Sequence, residues 1–153
     1  MHKYLKLALW IFIYLAVSFT IGQLTQGGIS GWYQNLEKPS FNPPNWIFPV
    51  VWTILYIMTA TAGWNLWQVG ASKTLKNIFI GYTLMNWAWT PIFFGLHQIT
   101  LGLVWIIALS LLNLAFILKA WKPVRLSAVL VIPLLAWTSF ASILSYYIWM
   151  LNS

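Results

Sequence analysis

The chain consists of long apolar runs separated by short polar segments. Each run is close to the 20 or so apolar residues that an α-helix needs to cross a bilayer. A membrane span must satisfy its own backbone hydrogen bonds, and the runs do not alternate as barrel strands do, so we predict helices. The pattern therefore predicts a single all-α membrane domain, a bundle of five transmembrane helices covering residues 5–25, 46–67, 77–97, 102–119 and 126–149.

The composition supports a membrane protein. Of the 153 residues, 61% are hydrophobic and only 6% are charged, whereas about a quarter of the residues in a soluble domain are charged. The start of the chain, "MHKYLK" before an apolar run, resembles a signal peptide. No small-x-small cleavage site follows it, so we predict that the first run is a retained helix in contact with the lipid bilayer.

The basic residues predict the orientation of the bundle. If the N-terminus is cytoplasmic, the outer side carries only Lys38 among the eight basic residues. The inner side carries the other seven, which is the bias expected of cytoplasmic loops: Lys3, Lys6, Lys73, Lys76, Lys119, Lys122 and Arg125. The C-terminus is then outside. The net charge of +7 forms no continuous basic stripe, so we predict no nucleic-acid partner.

This orientation makes residues 26–45 a long outer loop. The stretch from Trp32 to Trp52, "WYQNLEKPSFNPPNWIFPVVW", contains the only acidic residue, Glu37, and four of the seven prolines. Proline fixes φ and removes a backbone donor, so the loop is predicted to be stiff. Glu37 and Lys38 are interpreted as a solvated pair of little energetic value.

Helical spacing brings aromatic and polar residues together beneath this loop. Residues three or four apart share a helix face, and such stripes occur in the second, third and fifth helices: Trp52 and Tyr56; Asn86, Trp89 or Thr90, Phe93 and His97; Trp137, Ala141 and Ser145. The prediction is a loop that covers an aromatic cavity like a lid. His97 remains open between a hydrogen-bonded structural residue and a ligand contact. Pro91 and Pro133 either shape the bundle or widen the cavity.

The twelve tryptophans divide into two predicted groups by depth. Those near the span ends are interpreted as an interfacial belt: Trp10, Trp32, Trp46, Trp64, Trp67, Trp121 and Trp149. Those lying deeper need a partner or a ligand for the indole N–H: Trp52, Trp87, Trp89, Trp105 and Trp137.

Conventional catalysis has few residues to use. There is no cysteine and one acid, which excludes paired carboxylates, a Ser-His-Asp triad and a thiolate nucleophile. The scattered positions of His2, Glu37 and His97 predict no metal site. Whether the chain is an enzyme stays open, and no catalytic residue is assigned.

Three stretches carry a resemblance to a known family. "WYQNLEKPSFNPPNWIFPVVWTILY", "NWAWTPIFFGLHQ" and "LLAWTSFASILSYYIW" resemble the first loop with the second helix, the third helix and the fifth helix of the TspO/MBR family, the tryptophan-rich sensory or translocator proteins. The chain departs from the family at Phe41, where Trp is common, at Trp105, where many members have Asp, and at Ser145, where Asn is common. It also lacks the basic residue of the animal cholesterol motif after "SYYIWMLNS".

The resemblance implies a homodimeric bundle of five helices that binds porphyrins in a pocket under the first loop, in a bacterial inner membrane. Porphyrin, such as protoporphyrin IX or a haem-like molecule, would be a ligand and no cofactor is required. The pocket residues carried over are Tyr33, Pro43, Phe48, Trp52, Tyr56, Asn86, Phe93, His97, Trp137, Ala141 and Ser145. Three functions remain open: tetrapyrrole transport or sensing, light-dependent porphyrin breakdown, and a structural or partner-binding role.

Overall fold

The computed structural model describes residues 2–153 and contains five α-helices. Within this range there is no β-strand. Four helical segments are long and apolar enough to cross a membrane, namely α1 with its continuation to Asn35, α2, α4 and α5. The helices are α1 His2–Gly27, α2 Ile47–Gln68, α3 Lys73–Thr90, α4 Ile99–Ala120 and α5 Arg125–Leu151.

The first helix is longer than predicted, and the outer loop is correspondingly shorter. After α1 the chain continues through a π-helical turn, Gly28–Trp32, and a 3-10 turn, Tyr33–Asn35. The irregular loop is therefore residues 36–46 and not 26–45. Gly28 allows close packing in this segment, because a Cβ at this position would overlap the backbone of Phe94.

The third helix also differs from its prediction. It begins at Lys73 and its α-helical part ends at Thr90, where Pro91 starts a π-helical turn that ends at Gly95. Proline has no N–H to donate, so the regular α-helical ladder is interrupted there. By contrast Pro133 lies inside α5, which is assigned as one helix throughout.

The helices pack in the cyclic order α1, α2, α5, α4, α3, and α4 and α5 form the most extensive contact. The contact between α1 and α3, which closes the cycle, is much weaker. The centre is filled by side chains with almost no exposed surface, among them Tyr82, Phe116, Ile106 and Leu109. The bundle is therefore tightest at α4–α5 and loosest at the seam between α1 and α3.

The bundle has two chemically different ends. At one end the Trp64 indole donates to the Lys3 carbonyl at 3.1 Å, and the α2–α3 connection lies beside Lys119 and Val124. We call this the basic end, since the seven basic residues assigned to one side lie in its segments. At the other end, the loop end, the loop meets the last turn of α5 through Glu37 and Asn152. The side of the membrane that each end faces stays a prediction.

Candidate functional site

An aromatic wall formed by α2 and α5 lies at the loop end, and it brings together four residues predicted as a site. The Trp52 and Tyr56 rings stack with centroids 5.3 Å apart at 27°. Trp137 stands perpendicular to Trp52 at 6.4 Å, and Phe48 meets Trp137 edge-on at 5.8 Å. Tyr56 is buried, whereas Trp52 and Trp137 are half-buried. The two indoles therefore present partly free faces for stacking.

A second aromatic group surrounds Phe93. This buried ring stacks on Trp89 at 5.2 Å and meets Tyr33 edge-on at 6.2 Å. Gly102 of α4 makes room for it, because a Cβ there would lie 2.7 Å from the Phe93 ring. The Trp89 indole donates to the Gly102 carbonyl at 3.1 Å. Of the predicted site residues, Tyr33 and Phe93 are thus placed together, in contacts that join the 3-10 turn after α1, the π-helical turn after α3, and α4.

His97 does not continue the stripe of α3. The helical backbone ends at Gly95, and His97 follows with φ of 57°, a left-handed conformation uncommon for a residue with a side chain. The imidazole is exposed and stacks on Trp32 with centroids 4.4 Å apart. The predicted spacing of Asn86, Phe93 and His97 along one helical face is therefore wrong at its last member.

Asn86 is the most unusual polar residue of the predicted set. Its side chain is 2% exposed, and neither amide atom has a hydrogen-bond partner among residues 2–153. An unpaired buried amide is costly, so such groups normally bind water or a ligand. Ala141 and Ser145 are also buried, on α5. The predicted set thus combines the small side chain of Ala141, the hydroxyl of Ser145 and the Asn86 amide, whose donor and acceptor atoms have no hydrogen-bond partner among residues 2–153.

The loop is ordered by hydrogen bonds to its own backbone and side chains. The Tyr33 hydroxyl donates to the Asn42 Oδ1 at 3.1 Å, and the Asn42 amide donates to the Pro43 carbonyl at 3.2 Å. The Lys38 ammonium donates to the Leu36 carbonyl at 3.0 Å and lies 4.9 Å from the Tyr33 ring centroid. Lys38 therefore caps the end of the preceding helical segment, and the Glu37 side chain is exposed, so their interpretation as a solvated pair of little energetic value stays a prediction.

The loop is fastened to the end of α5. The Glu37 N–H donates to Asn152 Oδ1 at 3.0 Å, and Asn152 Nδ2 donates to the Glu37 carbonyl at 2.8 Å. Nearby, the Phe41 ring meets Tyr147 edge-on at 5.4 Å. The one acidic residue thus contributes its backbone to the fastening. Sequence reasoning missed Asn152, since nothing local in the sequence signals a partner so distant along the chain.

Several tryptophans assigned to a lipid-facing belt have protein partners instead. Trp64 is only 8% exposed, and Trp10 packs 5.3 Å from Trp67 and 6.1 Å from Phe79. Gly63 allows this packing, because a Cβ there would overlap both the Trp10 and Phe79 rings. The belt interpretation is therefore wrong for Trp64, which is buried, whereas Trp10 is half-buried and packs against protein rings on one side.

The deep tryptophans prove to be of more than one kind. The Trp105 indole donates to the Met85 carbonyl at 2.9 Å, so Trp105 and Trp89 join α3 to α4. The Trp87 indole nitrogen is buried without a partner among residues 2–153. Depth alone therefore does not separate tryptophans whose indole N–H is bonded within the protein from those whose N–H has no partner. The distinction depends on which carbonyl each indole can reach.

A separate apolar cleft of about 470 Å3 lies at the basic end, beside α1 and α3. Its lining includes Trp10, Tyr14, Trp67 and Phe79, and Lys6 lies at its margin. The hydrophobic pattern does not predict this cleft, because Trp10 and Trp67 lie near span ends and are interpreted from it as belt residues. The residue that could have indicated the cleft in the sequence is Gly63 of α2, whose small size leaves room for the Trp10 and Phe79 rings.

The loop-end arrangement offers aromatic faces and a few polar groups but little for acid–base chemistry. Indole and phenol faces stack on planar ring systems, and Asn86 and Ser145 can hydrogen-bond to polar substituents. Within residues 2–153 there is no cluster of three or more His, Asp or Glu side chains suited to a metal ion.

Comparison with known proteins agrees with this architecture. The family model described as "TspO/MBR family" matches residues 10–150. The chain is 38% identical over 152 residues to the tryptophan-rich protein TspO of Chlorobaculum tepidum, covering 97% of this chain and 96% of that protein. It is 35% identical to the tryptophan-rich protein TspO of Archaeoglobus fulgidus, with 97% and 98% covered.

A human protein is also similar. The translocator protein of Homo sapiens is 34% identical over 123 residues, covering 77% of this chain and 73% of that protein. Four long apolar helices and these matches together make the chain an integral membrane protein in contact with the lipid bilayer, of a family with sensory and translocator members. The chain belongs to the TspO/MBR family.

Proposed function

We propose that the protein binds a porphyrin-like tetrapyrrole at the loop end and acts in its transport or sensing. The observation that carries the proposal is the aromatic wall, with two half-buried indoles beside a fastened loop. A porphyrin is a flat apolar macrocycle with carboxylate edges. Its face would stack on Trp52 and Trp137, and its edges would find donors in Asn86 or Lys38.

The proposal includes an arrangement in the membrane. All five helices would cross the bilayer, because the 18 residues of α3 span about 27 Å and the π-helical turn lengthens the segment further. The basic end would face the cytoplasm of a bacterial cell, as the bias in basic residues favours. A homodimer is expected from the resemblance alone. Gly81, a small residue of α3 that would let another helix approach closely, faces Leu112 of α4 within the same chain.

The experiment is a titration of purified protein with protoporphyrin IX in the dark, followed by absorbance and tryptophan fluorescence. Trp52→Ala and Trp137→Ala remove the stacking faces, and buried aromatic anchors of this kind are worth about 2 kcal/mol, or roughly 30-fold in affinity. Trp46→Ala is the control, because Trp46 precedes α2 at the same end but is 68% exposed. Equal losses in all three variants, with the fold retained, would contradict the site.

A second function, light-dependent porphyrin breakdown, is favoured by the oxidisable rings of the wall. Trp52 contacts Tyr56, and Tyr56 lies 6.4 Å from Tyr14 on α1. The bound pigment would supply the photochemistry, so no acid–base pair is needed. Illumination of the complex distinguishes the functions: a new absorbing species formed only in light, and lost in Trp52→Phe, would favour breakdown. No binding at all would favour a structural or partner-binding role.

A further inference from the structure

The cleft at the basic end lies where the bundle is least closed. α1 packs against α2 along much of its length and against α3 only weakly. The Tyr14 and Thr83 hydroxyls hydrogen-bond at 2.5 Å and bridge α1 to α3. Both residues line the cleft of about 470 Å3, whose volume is in the range of ligand sites. The cleft is thus a defined cavity with a polar bridge in its lining, open along one side.

The cleft has the length of one membrane leaflet or less. Lys6 and Tyr14, which both line it, are eight residues apart on α1, which corresponds to about 12 Å along a helix. The hydrocarbon core of a bilayer is about 30 Å thick. A molecule in this cleft would therefore extend from the membrane surface at the basic end toward the bilayer midplane without crossing it, as one acyl chain of a lipid does.

The walls of the cleft are aromatic and aliphatic. Trp10 lies 5.3 Å from Trp67 and 6.1 Å from Phe79, and Gly63 keeps these rings close to α2. The open side is bordered by exposed Ile80 of α3. Such walls attract hydrocarbon by close packing, which is what drives association within a bilayer.

The mouth of the cleft carries ammonium groups that have no carboxylate close by. Lys6 lines the cleft and is exposed. The Lys76 ammonium lies 5.4 Å from the ring centroid of Trp67, which also lines the cleft. The Lys3 ammonium lies 5.5 Å from the Trp64 ring centroid. The only acidic side chain of the sequence, Glu37, is at the opposite end. The mouth is therefore complementary to an anionic group.

We propose that the cleft binds an acyl chain of an anionic phospholipid, with the headgroup phosphate held by Lys6 and the neighbouring Lys3 and Lys76. A basic residue near an anionic membrane surface strengthens association by about fivefold. The apolar cleft would in addition hold one lipid molecule at a defined position, whereas the basic residues alone would attract only a diffuse layer of anionic lipid. This site is separate from the loop-end ligand site and does not depend on what that site binds.

The experiment is native mass spectrometry of the delipidated full chain in a non-ionic detergent, titrated with phosphatidylglycerol or with phosphatidylcholine of the same acyl chains. We expect one phosphatidylglycerol to bind at least fivefold more tightly than phosphatidylcholine. Lys6→Gln should lower that affinity by about fivefold. Lys122→Gln removes the same charge from the same end, away from the cleft, and should leave the affinity unchanged.

A second variant tests the cleft itself. Ile80→Trp introduces a large ring at its exposed border and should abolish the one-lipid complex for both lipids, while the thermal midpoint of the protein without added lipid is retained. Equal effects of Lys6→Gln and Lys122→Gln, or equal affinities for the two lipids, would overturn the proposal. A dimer mass that Ile80→Trp converts to monomer would also overturn it, since a second copy would then cover the cleft.

Discussion

The two aromatic regions of this protein differ in what closes them. At the loop end, the wall of Trp52, Tyr56 and Trp137 lies beside a protein loop that is hydrogen-bonded to Asn152. At the basic end, Trp10 and Phe79 line a cleft that is open along one side. Rings of the same kind therefore lie beside a hydrogen-bonded loop in one region and along an open cleft in the other. Whether such rings are covered depends on the neighbouring backbone and not on the type of residue.

Two glycines allow a direct comparison of the closed and open regions. Gly28→Ala should be the most destabilising substitution, by about 3 kcal/mol, because the new methyl group overlaps the Phe94 backbone, which cannot move aside. Gly63→Ala should cost less, about 1–2 kcal/mol, because it meets side-chain rings that can shift into the cleft. The measurement is the unfolding midpoint in detergent.

Gly31→Ala is the control for both, since nothing lies within 4 Å of a Cβ at that position. It should leave the midpoint unchanged or raise it slightly, because alanine favours a helix more than glycine does. If Gly63→Ala proves as harmful as Gly28→Ala, the basic end is as tightly closed as the loop end and the contrast fails.

The fastening of the loop can be tested at Asn152. Asn152→Ala removes two hydrogen bonds to the Glu37 backbone, worth about 1 kcal/mol each. We expect faster hydrogen exchange and faster proteolysis confined to residues 36–46, and faster dissociation of protoporphyrin. Gln98→Ala, an exposed residue at the same end, should change neither rate. Unchanged exchange in Asn152→Ala would show that the loop is held by its other contacts.

The smallest effect is expected at Glu37. Because the fastening uses its backbone N–H and carbonyl, Glu37→Gln should change porphyrin affinity by less than about twofold and leave loop exchange as it is. A large loss measured in the same titration would mean that the carboxylate contacts the ligand or a group of the loop. That result would reassign the chain's only acid to the site.

Much of the fold was predictable because apolar runs of membrane length are a strong signal. The five helices appear close to their predicted ranges, and the stacking of Trp52 on Tyr56 follows from helical spacing. The contact of Trp137 with α2 depends instead on how the helices pack. The errors have local causes. Gly28 lets the first helical segment continue past its predicted end against the Phe94 backbone, and Pro91 ends the α-helical ladder before His97. The packing at Gly28 depends on a backbone from elsewhere in the bundle, which spacing within one helix does not contain. The interruption at Pro91 comes from the missing N–H of the proline itself.

The fastening of the loop also sets an order of events during synthesis. Glu37 and Asn152 are 115 residues apart, and a ribosome adds roughly 5–20 residues per second. For on the order of ten seconds the loop has been made while its partner has not, and the fastening can form only after α5 has also entered the membrane. The loop-end site is therefore the last part of the bundle to be completed, so a nascent chain cannot hold a ligand under a fastened loop before α5 is in place.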